Sequence, residues 1–120
     1  MKLIILFAFI ASLLPTRTFG LDWVYGNTIK KITTGVGSVL VFEWPTGSVH
    51  DVWQFPNKEA WQKCDFSGAT RICDASKNPC SVRFSNKGRY YFGCSTGDGN
   101  HCTKAKNGGG NMKLKVLVKV

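Results

Sequence analysis

Short apolar runs separated by turn residues recur along the chain after residue 28, which predicts strands rather than helices. In the last run, Leu114, Val116 and Val118 alternate with polar or outward positions, the period of two of a half-buried strand. Clusters of glycine, proline and asparagine separate the runs. The predicted strands are residues 29–34, 38–44, 50–55, 69–73, 81–84, 89–94 and 113–120.

One segment has the composition of a helix, residues 57–64, NKEAWQKC. Asn57 can cap the first turn, and Glu59 stands where the helix dipole favours an anion. About seven strands with a single helix of about two turns predict an all-β fold, a Greek-key β-sandwich with antiparallel strands.

The first twenty residues have the layout of a secretory signal peptide. Lys2 gives a positive start, residues 3–14 are almost entirely apolar, and Thr18 and Gly20 place small residues before a cleavage point. About 12 apolar residues are too few to span a bilayer. We expect cleavage after Gly20, one domain over residues 21–120 and secretion to the extracellular space. No second hydrophobic segment follows, so we expect no membrane anchor.

The chain is basic, with 16 Lys and Arg against 7 Asp and Glu and a net charge of +9. A basic secreted domain suits an acidic polysaccharide or an acidic protein surface. A basic surface with no dedicated partner is an equally weighted alternative. The cations are scattered rather than clustered, which argues against nucleic-acid binding.

The side chains that can bind metal form one ligand set. His50 opens a predicted strand, Cys94 closes another, His101 lies in the loop beyond, and Met112 begins the last strand. Two imidazoles, one thiolate and one weak thioether are the ligands of a blue-copper electron-transfer site. Each residue alone is explained as well by packing. The set contains both histidines of the chain and its last methionine, so together they favour a site for one copper ion.

The chain has five cysteines, so at least one lies outside any intramolecular disulfide. With Cys94 as the copper ligand, the other four allow three pairings, and the sequence alone does not choose among them. We favour Cys64 with Cys102, which would stiffen the second ligand loop. That pairing leaves Cys73 and Cys80 to form the second bridge.

Four segments form a fairly specific combination: VGSVLVFEWPTGSVHDV, NKEAWQKCDF, GRYYFGC followed by HC, and NMKLKVLVKV. Together they resemble the phytocyanins, the plant-type blue copper proteins of the cupredoxin superfamily, and most closely the plantacyanin branch. The resemblance covers residues 29–120. It implies the transfer of single electrons outside the cell. It also implies equatorial copper ligands His50, Cys94 and His101, the axial ligand Met112, and a Cys64–Cys102 disulfide. We expect a monomer that works with an unidentified redox protein or small redox molecule.

The chain departs from that family pattern in two loops. Six residues, 95–100, separate Cys94 from His101, where phytocyanins usually have four. Ten residues separate His101 from Met112, where the family has about four, and they include the flexible stretch KNGGGN at 106–111. Insertions can bulge outward at little entropic cost. The second insertion leaves the axial assignment open.

The sequence favours an electron carrier over an enzyme, because it offers no acid–base pair and two histidines cannot supply the further copper centres of an oxidase. We expect His101 to be the exposed electron port and the backbone N–H of Asp51 to hydrogen-bond the Cys94 sulfur. Trp23, Trp44, Trp53 and Trp61 are expected in the core and at its rim. Two alternatives stay open: a copper-free or redox-silent basic binding module, and storage of zinc or copper, although zinc sites usually lack methionine.

Overall fold

The described part of the chain forms two β-sheets and one short helix. The computed structural model describes residues 16–27, 29–103 and 110–120. The elements are β1 Thr18–Asp22, β2 Lys31–Gly35, β3 Val39–Glu43, β4 Val52–Phe55, α1 Lys58–Lys63, β5 Thr70–Cys73, β6 Cys80–Arg83, β7 Gly88–Gly93 and β8 Lys113–Lys119. A three-stranded sheet has the order β1-β3-β6, and a five-stranded sheet has the order β2-β8-β7-β4-β5.

All seven predicted strands are present, each within two residues of its expected bounds. The additional strand is β1, which the sequence analysis misses because three of its five residues fall in the segment assigned to targeting. The all-β sandwich is confirmed, but the expectation of purely antiparallel strands is wrong. β1 pairs with β3, and β2 with β8, in parallel. The reason is topological. Consecutive strands β1 and β2 lie in different sheets, so no hairpin joins them, and each pairs in parallel with a strand further along the chain.

The core lies between the two sheets. β8 shows the predicted alternation, with Leu114, Val116 and Val118 buried and the lysines on the other side. Phe42 of β3 crosses the interface and packs edge-on against Phe92, with ring centroids 5.5 Å apart. Burying one side chain of this kind contributes about 1.5–3 kcal/mol. Residues of both sheets thus share one apolar core, which holds the sheets together.

Helix α1 begins and ends where its sequence dictates. The side chain of Asn57 accepts a hydrogen bond from the backbone N–H of Ala60 at 2.9 Å, which is the predicted cap. The helix ends at Cys64, whose backbone is left-handed with φ 53°. Cys64 forms a disulfide with Cys102, with an S–S distance of 2.08 Å. The end of the helix is thereby fixed to the residue after His101.

A second disulfide joins the two sheets. Cys73 at the end of β5 bonds to Cys80 at the start of β6, with an S–S distance of 2.11 Å. Both bridges correspond to the pairing that we favour from the sequence. The remaining cysteine, Cys94, is free and buried.

Residues 1–15 lie outside the described residues, so the signal peptide and the domain bounds stay predictions. In the uncleaved chain, Thr18 to Gly20 belong to β1 and pair with Val39 to Val41 of β3. Within the described ranges, none of the helices has the length and apolar character needed to cross a membrane.

Candidate metal centre

Three of the candidate ligands meet at one edge of the five-stranded sheet. His50 lies just before β4, Cys94 just after β7, and His101 in the loop that follows. β4 and β7 are antiparallel neighbours in which Trp53 pairs with Gly93. Because the start of one strand lies beside the end of its antiparallel neighbour, His50 and Cys94 are brought together across 44 positions of sequence.

The three donor atoms form a small triangle. The Nδ1 atoms of His50 and His101 are 3.1 Å apart. The Cys94 Sγ lies 3.8 Å from the His50 Nδ1 and 3.7 Å from the His101 Nδ1. Ligands in a trigonal plane at about 2.0 Å (N) and about 2.3 Å (S) from a first-row metal ion lie about 3.5 Å (N to N) and about 3.7 Å (N to S) apart. The observed spacing therefore fits one ion.

This cluster stands out among the described residues as a group of His, Cys, Asp or Glu side chains with donor atoms within 4.8 Å of one another. His50 and Cys94 are buried, whereas His101 is half-buried. Two of the three ligands are thus shielded from solvent, and the imidazole of His101 is the one that reaches the surface.

Burial also sets the charge state of the ligands. It lowers the pKa of His50, with the neighbouring His101 as a second cause and Asp51 acting in the opposite direction. Burial raises the pKa of the Cys94 thiol, and polar groups of Thr96 and Asp51 oppose this rise. A bound cation changes the balance for the thiol, because a metal-coordinated thiol is deprotonated.

Polar groups lie close to the Cys94 sulfur. The hydroxyl of Thr96 lies 3.1 Å from Sγ. This hydroxyl and the backbone of Asp51 and Thr96 lower the pKa of the thiol, against the rise caused by burial. The hydrogen bond expected from the Asp51 backbone N–H to the sulfur stays a prediction. Polar groups that stabilise negative charge on sulfur are of the type that tunes a copper–thiolate site.

The sequence analysis does not find Thr96 as a site residue. Its hydroxyl oxygen is 2.6 Å from the Nδ1 of His101 and 3.1 Å from the carbonyl oxygen of Val49. A hydroxyl carries one hydrogen, so it donates to one acceptor at a time and accepts from the others. Thr96 therefore links both the thiol and the second histidine to the loop before His50, and its contact with the His101 Nδ1 would give way when that nitrogen binds a metal ion.

The carboxylate of Asp51 is a second contact missing from the sequence analysis, which considers only its backbone. Its Oδ1 accepts a hydrogen bond from the backbone N–H of Ser95 at 2.7 Å. Its Oδ2 accepts from the Ser95 hydroxyl at 2.6 Å and from the indole Nε1 of Trp53 at 2.9 Å. The indole Nε1 of Trp23 donates to the Asp51 carbonyl at 2.9 Å. The sequence signal for these contacts is an acidic residue directly after the ligand His50 and a serine directly after the ligand Cys94.

The six-residue loop 95–100 is compact. The backbone N–H of Gly99 donates to the Ser95 carbonyl at 2.9 Å, and that of His101 donates to the Thr96 carbonyl at 3.3 Å. Three consecutive residues, 97–99, have positive φ, and Gly97 at 66° adopts this conformation without the penalty of a Cβ atom. The left-handed turn returns His101 to the side of Cys94 in spite of the two extra residues.

Met112 lies between the other ligands in the backbone network. Its N–H donates to the His101 carbonyl at 2.7 Å, and its carbonyl accepts from the Cys94 N–H at 3.2 Å. The N–H of Asn111 donates to the Thr103 carbonyl at 2.8 Å, so both ends of the long loop are held together. Residues 104–109, which include most of the stretch expected to be flexible, lie outside the described residues. The Met112 side chain is fully buried.

Aromatic and apolar side chains surround the two histidines. Tyr25, 47% exposed, packs edge-on against His101 with ring centroids 5.1 Å apart. Trp44 packs in the same manner against His50 at 6.2 Å. Val49 is 61% exposed beside the Thr96 contact. Trp23 and Trp44 are buried and Trp53 and Trp61 half-buried, which confirms the expected core and rim positions.

The two-sheet fold and the His–Cys–His cluster at its edge define a protein of the cupredoxin type. Residues 19–106 match the plastocyanin-like domain family, and the chain belongs to that family. No curated protein matches the sequence.

Solved structures support the same fold. Spinach plantacyanin is 24% identical, with a TM-score of 0.59 over 85% of this chain and 99% of that one. Cucumber stellacyanin, determined with Cu²⁺, is 22% identical, with a TM-score of 0.59 over 87% and 96%. Cucumber basic protein, a blue copper protein, is 20% identical, with a TM-score of 0.58 over 85% and 99%. The fold is thus that of a phytocyanin-type cupredoxin.

A single copper ion is the cofactor that this site fits. The donor set combines two imidazole nitrogens and one thiolate at the spacing of a trigonal plane. Copper accepts this mixed set with a weak fourth ligand, whereas zinc prefers a regular tetrahedron of four strong ligands.

Proposed function

We propose that the protein is a secreted mononuclear type 1 copper protein that transfers single electrons. The observation that carries the proposal is the triangle of donor atoms, with sides of 3.1, 3.7 and 3.8 Å. His50 and His101 would bind through Nδ1 and Cys94 through its thiolate, with Met112 as the axial ligand. Bound copper would supply a one-electron couple between Cu(I) and Cu(II).

The chain's own contribution is a ligand set that moves little. The Asp51 carboxylate holds the loop after Cys94, and the Cys64–Cys102 disulfide holds the residue after His101. Ligands fixed in this way need little rearrangement when the charge at the site changes. The Thr96 hydroxyl and the backbone of Asp51 and Thr96 lower the pKa of Cys94 and so favour negative charge on its sulfur.

His101 is the ligand that a redox partner would contact, because it is the one that is not fully buried. Tyr25 and Val49 add exposed apolar surface near it. The partner would be a redox protein or a small redox molecule, and the protein would act as a monomeric electron carrier rather than as an enzyme. Export and an extracellular location rest on the N-terminal sequence.

The test is a titration of the purified, metal-free, exported protein with Cu(II), followed by visible spectroscopy. We expect an intense blue absorption at one equivalent of copper, bleached by ascorbate and restored by ferricyanide. Cys94→Ser is the matched control, because it keeps the size of the side chain and removes the thiolate. It should bind copper weakly and without the intense colour.

A colourless wild-type protein, or the same spectrum in Cys94→Ser, would overturn the type 1 site. A blue protein that cannot be reduced and reoxidised would keep copper binding and overturn electron transfer. Tighter binding of Zn(II) than of copper in either oxidation state would favour metal storage instead.

A further inference from the structure

A basic groove lies on the outer face of the five-stranded sheet. Its volume is about 300 Å³. The residues that line it are four cations, one tyrosine and one leucine: Lys31, Lys58, Arg89, Lys115, Tyr91 and Leu117. The groove is separate from the ligand cluster, and none of its lining residues contributes to the site described above.

Strand register explains why the cations share one face. Residues 114, 116 and 118 of β8 point into the core, so Lys115 and Leu117 point outward. Lys115 pairs with Lys31 on one side and with Tyr91 on the other, and Leu117 pairs with Arg89. Neighbouring strands lie about 4.8 Å apart, which sets the spacing of these side chains across the face. Helix α1 adds Lys58.

Among the described residues, none of these four cations forms an ion pair with a carboxylate. Like charges at paired positions on neighbouring strands are destabilising, and Lys31 is paired with Lys115. The groove lining contains neither Asp nor Glu. Among residues 16–27, 29–103 and 110–120, the ion pair formed is Lys63 with Glu59, on the helix. A concave surface lined by one sign of charge concentrates the field and attracts the opposite charge.

We propose that this groove binds a chain of a carboxylated polysaccharide, a polyuronate. A concave surface lined by cations suits an extended anionic polymer. Four cations over the width of three strands match a polymer with one carboxylate on each sugar. Leu117, which is half-buried, offers apolar surface to the faces of the sugar rings, and Tyr91 lines the groove as a buried residue. Trp61 lies beside Lys115, with the ammonium 6.0 Å from the ring centroid.

The groove is far enough from the metal centre for both to be used together. The nearest lining residues, Tyr91 and Lys115, each lie three residues along their strands from Cys94 and Met112, about 10 Å at 3.3 Å per residue, and Arg89 and Leu117 lie five residues away, about 16 Å. A bound polymer would therefore leave His101 accessible. The inference rests on the proposed extracellular location, because that is where the protein would encounter such a polymer. It does not depend on copper.

The experiment measures the affinity of the metal-free protein for polygalacturonate at low and at moderate salt. The groove variant is Lys31→Gln with Lys115→Gln. The matched control is Lys77→Gln with Lys87→Gln, two exposed lysines elsewhere that lower the net charge equally. We expect the groove variant to bind on the order of tenfold more weakly and the control to change less than about twofold. Binding should weaken as salt is added, because salt screens exposed charges.

Equal losses in the two variants would show that only net charge matters and would overturn the groove. Two results would contradict the choice of a polyuronate as the ligand. One is binding to dextran sulfate without binding to polygalacturonate, and the other is binding to an acidic folded protein but to neither polysaccharide. Thermal unfolding of both variants checks that they fold. Because the metal-free protein is used, failure here leaves the copper proposal standing, and a colourless protein leaves this one standing.

Discussion

The Oδ1 of Asp51 lies 2.7 Å from the backbone nitrogen of Ser95, and this hydrogen bond joins the residue after His50 to the residue after Cys94. The two ligands belong to antiparallel neighbouring strands, yet strand pairing between β4 and β7 ends at Trp53 and Gly93, before either ligand. Beyond the last residue pair of the two strands, the Asp51 carboxylate therefore links the segments that carry His50 and Cys94. It is the contact on which we expect the geometry of the ligand pair to depend.

Asp51→Ala should destabilise the protein and loosen the metal site. The substitution removes the acceptor of three hydrogen bonds, from the Ser95 N–H, the Ser95 hydroxyl and the Trp53 indole. Bonds to a charged group contribute about 1.5–3 kcal/mol each, and because the three share one acceptor we expect a total loss of about 2–4 kcal/mol. Chemical denaturation of the metal-free protein measures it.

Asp74→Ala is the matched control for that experiment. Asp74 makes the same paired contacts with the N–H and hydroxyl of Ser76, but in an exposed turn. We expect a much smaller loss of stability and no change in the copper spectrum. Similar losses in both variants would contradict a special role for Asp51.

Thr96→Val should lower the reduction potential of the copper-loaded protein. The Thr96 hydroxyl lies 3.1 Å from the Cys94 sulfur and 3.1 Å from the Val49 carbonyl oxygen. We expect its single hydrogen to turn to the sulfur when copper holds it as a thiolate, which withdraws electron density from the sulfur and so favours Cu(I). Thr96→Ser keeps the hydroxyl and should retain most of the wild-type potential. The measurement is a spectroelectrochemical titration of the three proteins. Equal potentials for the wild type and Thr96→Val would show that the hydroxyl serves only the loop.

Much of the fold follows from local pattern. The seven strands from β2 to β8 are visible because each is a short apolar run bounded by turn residues, and Asn57 marks the start of the helix. β1 is not visible, because an apolar stretch beside a targeting segment carries no signal that separates the two. Parallel pairing is not visible either, since strand direction is set by which sheet each strand joins and not by its own residues.

The candidate site divides in the same way. His50, Cys94 and His101 can be predicted because their side-chain chemistry is specific, and the cluster lies where strand order places it. Thr96 and the Asp51 carboxylate cannot be predicted, because their importance depends on contacts 44 to 47 positions away in sequence. Single-sequence patterns report on neighbours within a few residues. Contacts between loops at one end of the fold depend on tertiary structure.

The two disulfides should differ in their effect on the metal site. Replacing Cys64 and Cys102 by alanine opens a link of sequence separation 38 and frees the residue after His101. In the chain-entropy model this costs about 4 kcal/mol, and we also expect faster loss of copper to a chelator. Replacing Cys73 and Cys80, at separation 7, should cost about 2.5 kcal/mol and leave copper loss unchanged. Equal rates of copper loss in the two variants would contradict this assignment.

The exported protein should begin at Leu21. Leu21 and Trp23 are buried in the core, so the mature chain must retain them. Cleavage after Gly20 would leave two of the five residue pairs between β1 and β3, Leu21 with Phe42 and Asp22 with Glu43. Intact mass measurement of the exported protein identifies the first residue. A chain beginning at or before Thr18 would contradict our cleavage site and show that β1 is kept whole.

Met112→Leu tests the axial ligand. The Met112 backbone is held between His101 and Cys94, and its side chain is fully buried. A swap to leucine conserves volume and should cost less than about 1.5 kcal/mol, so the protein should still fold and turn blue. If the Met112 sulfur is the axial ligand, its loss should raise the reduction potential, because a weak donor that stabilises Cu(II) is gone.

Leu114→Met is the matched control, since Leu114 is the next inward position of β8 and equally buried. Its potential and spectrum should equal those of the wild type. A Met112→Leu protein with an unchanged potential would assign Met112 to the core alone and leave the copper with three ligands from His50, Cys94 and His101. A shifted potential in Met112→Leu but not in Leu114→Met can arise only near the metal, and this difference separates ligation from packing.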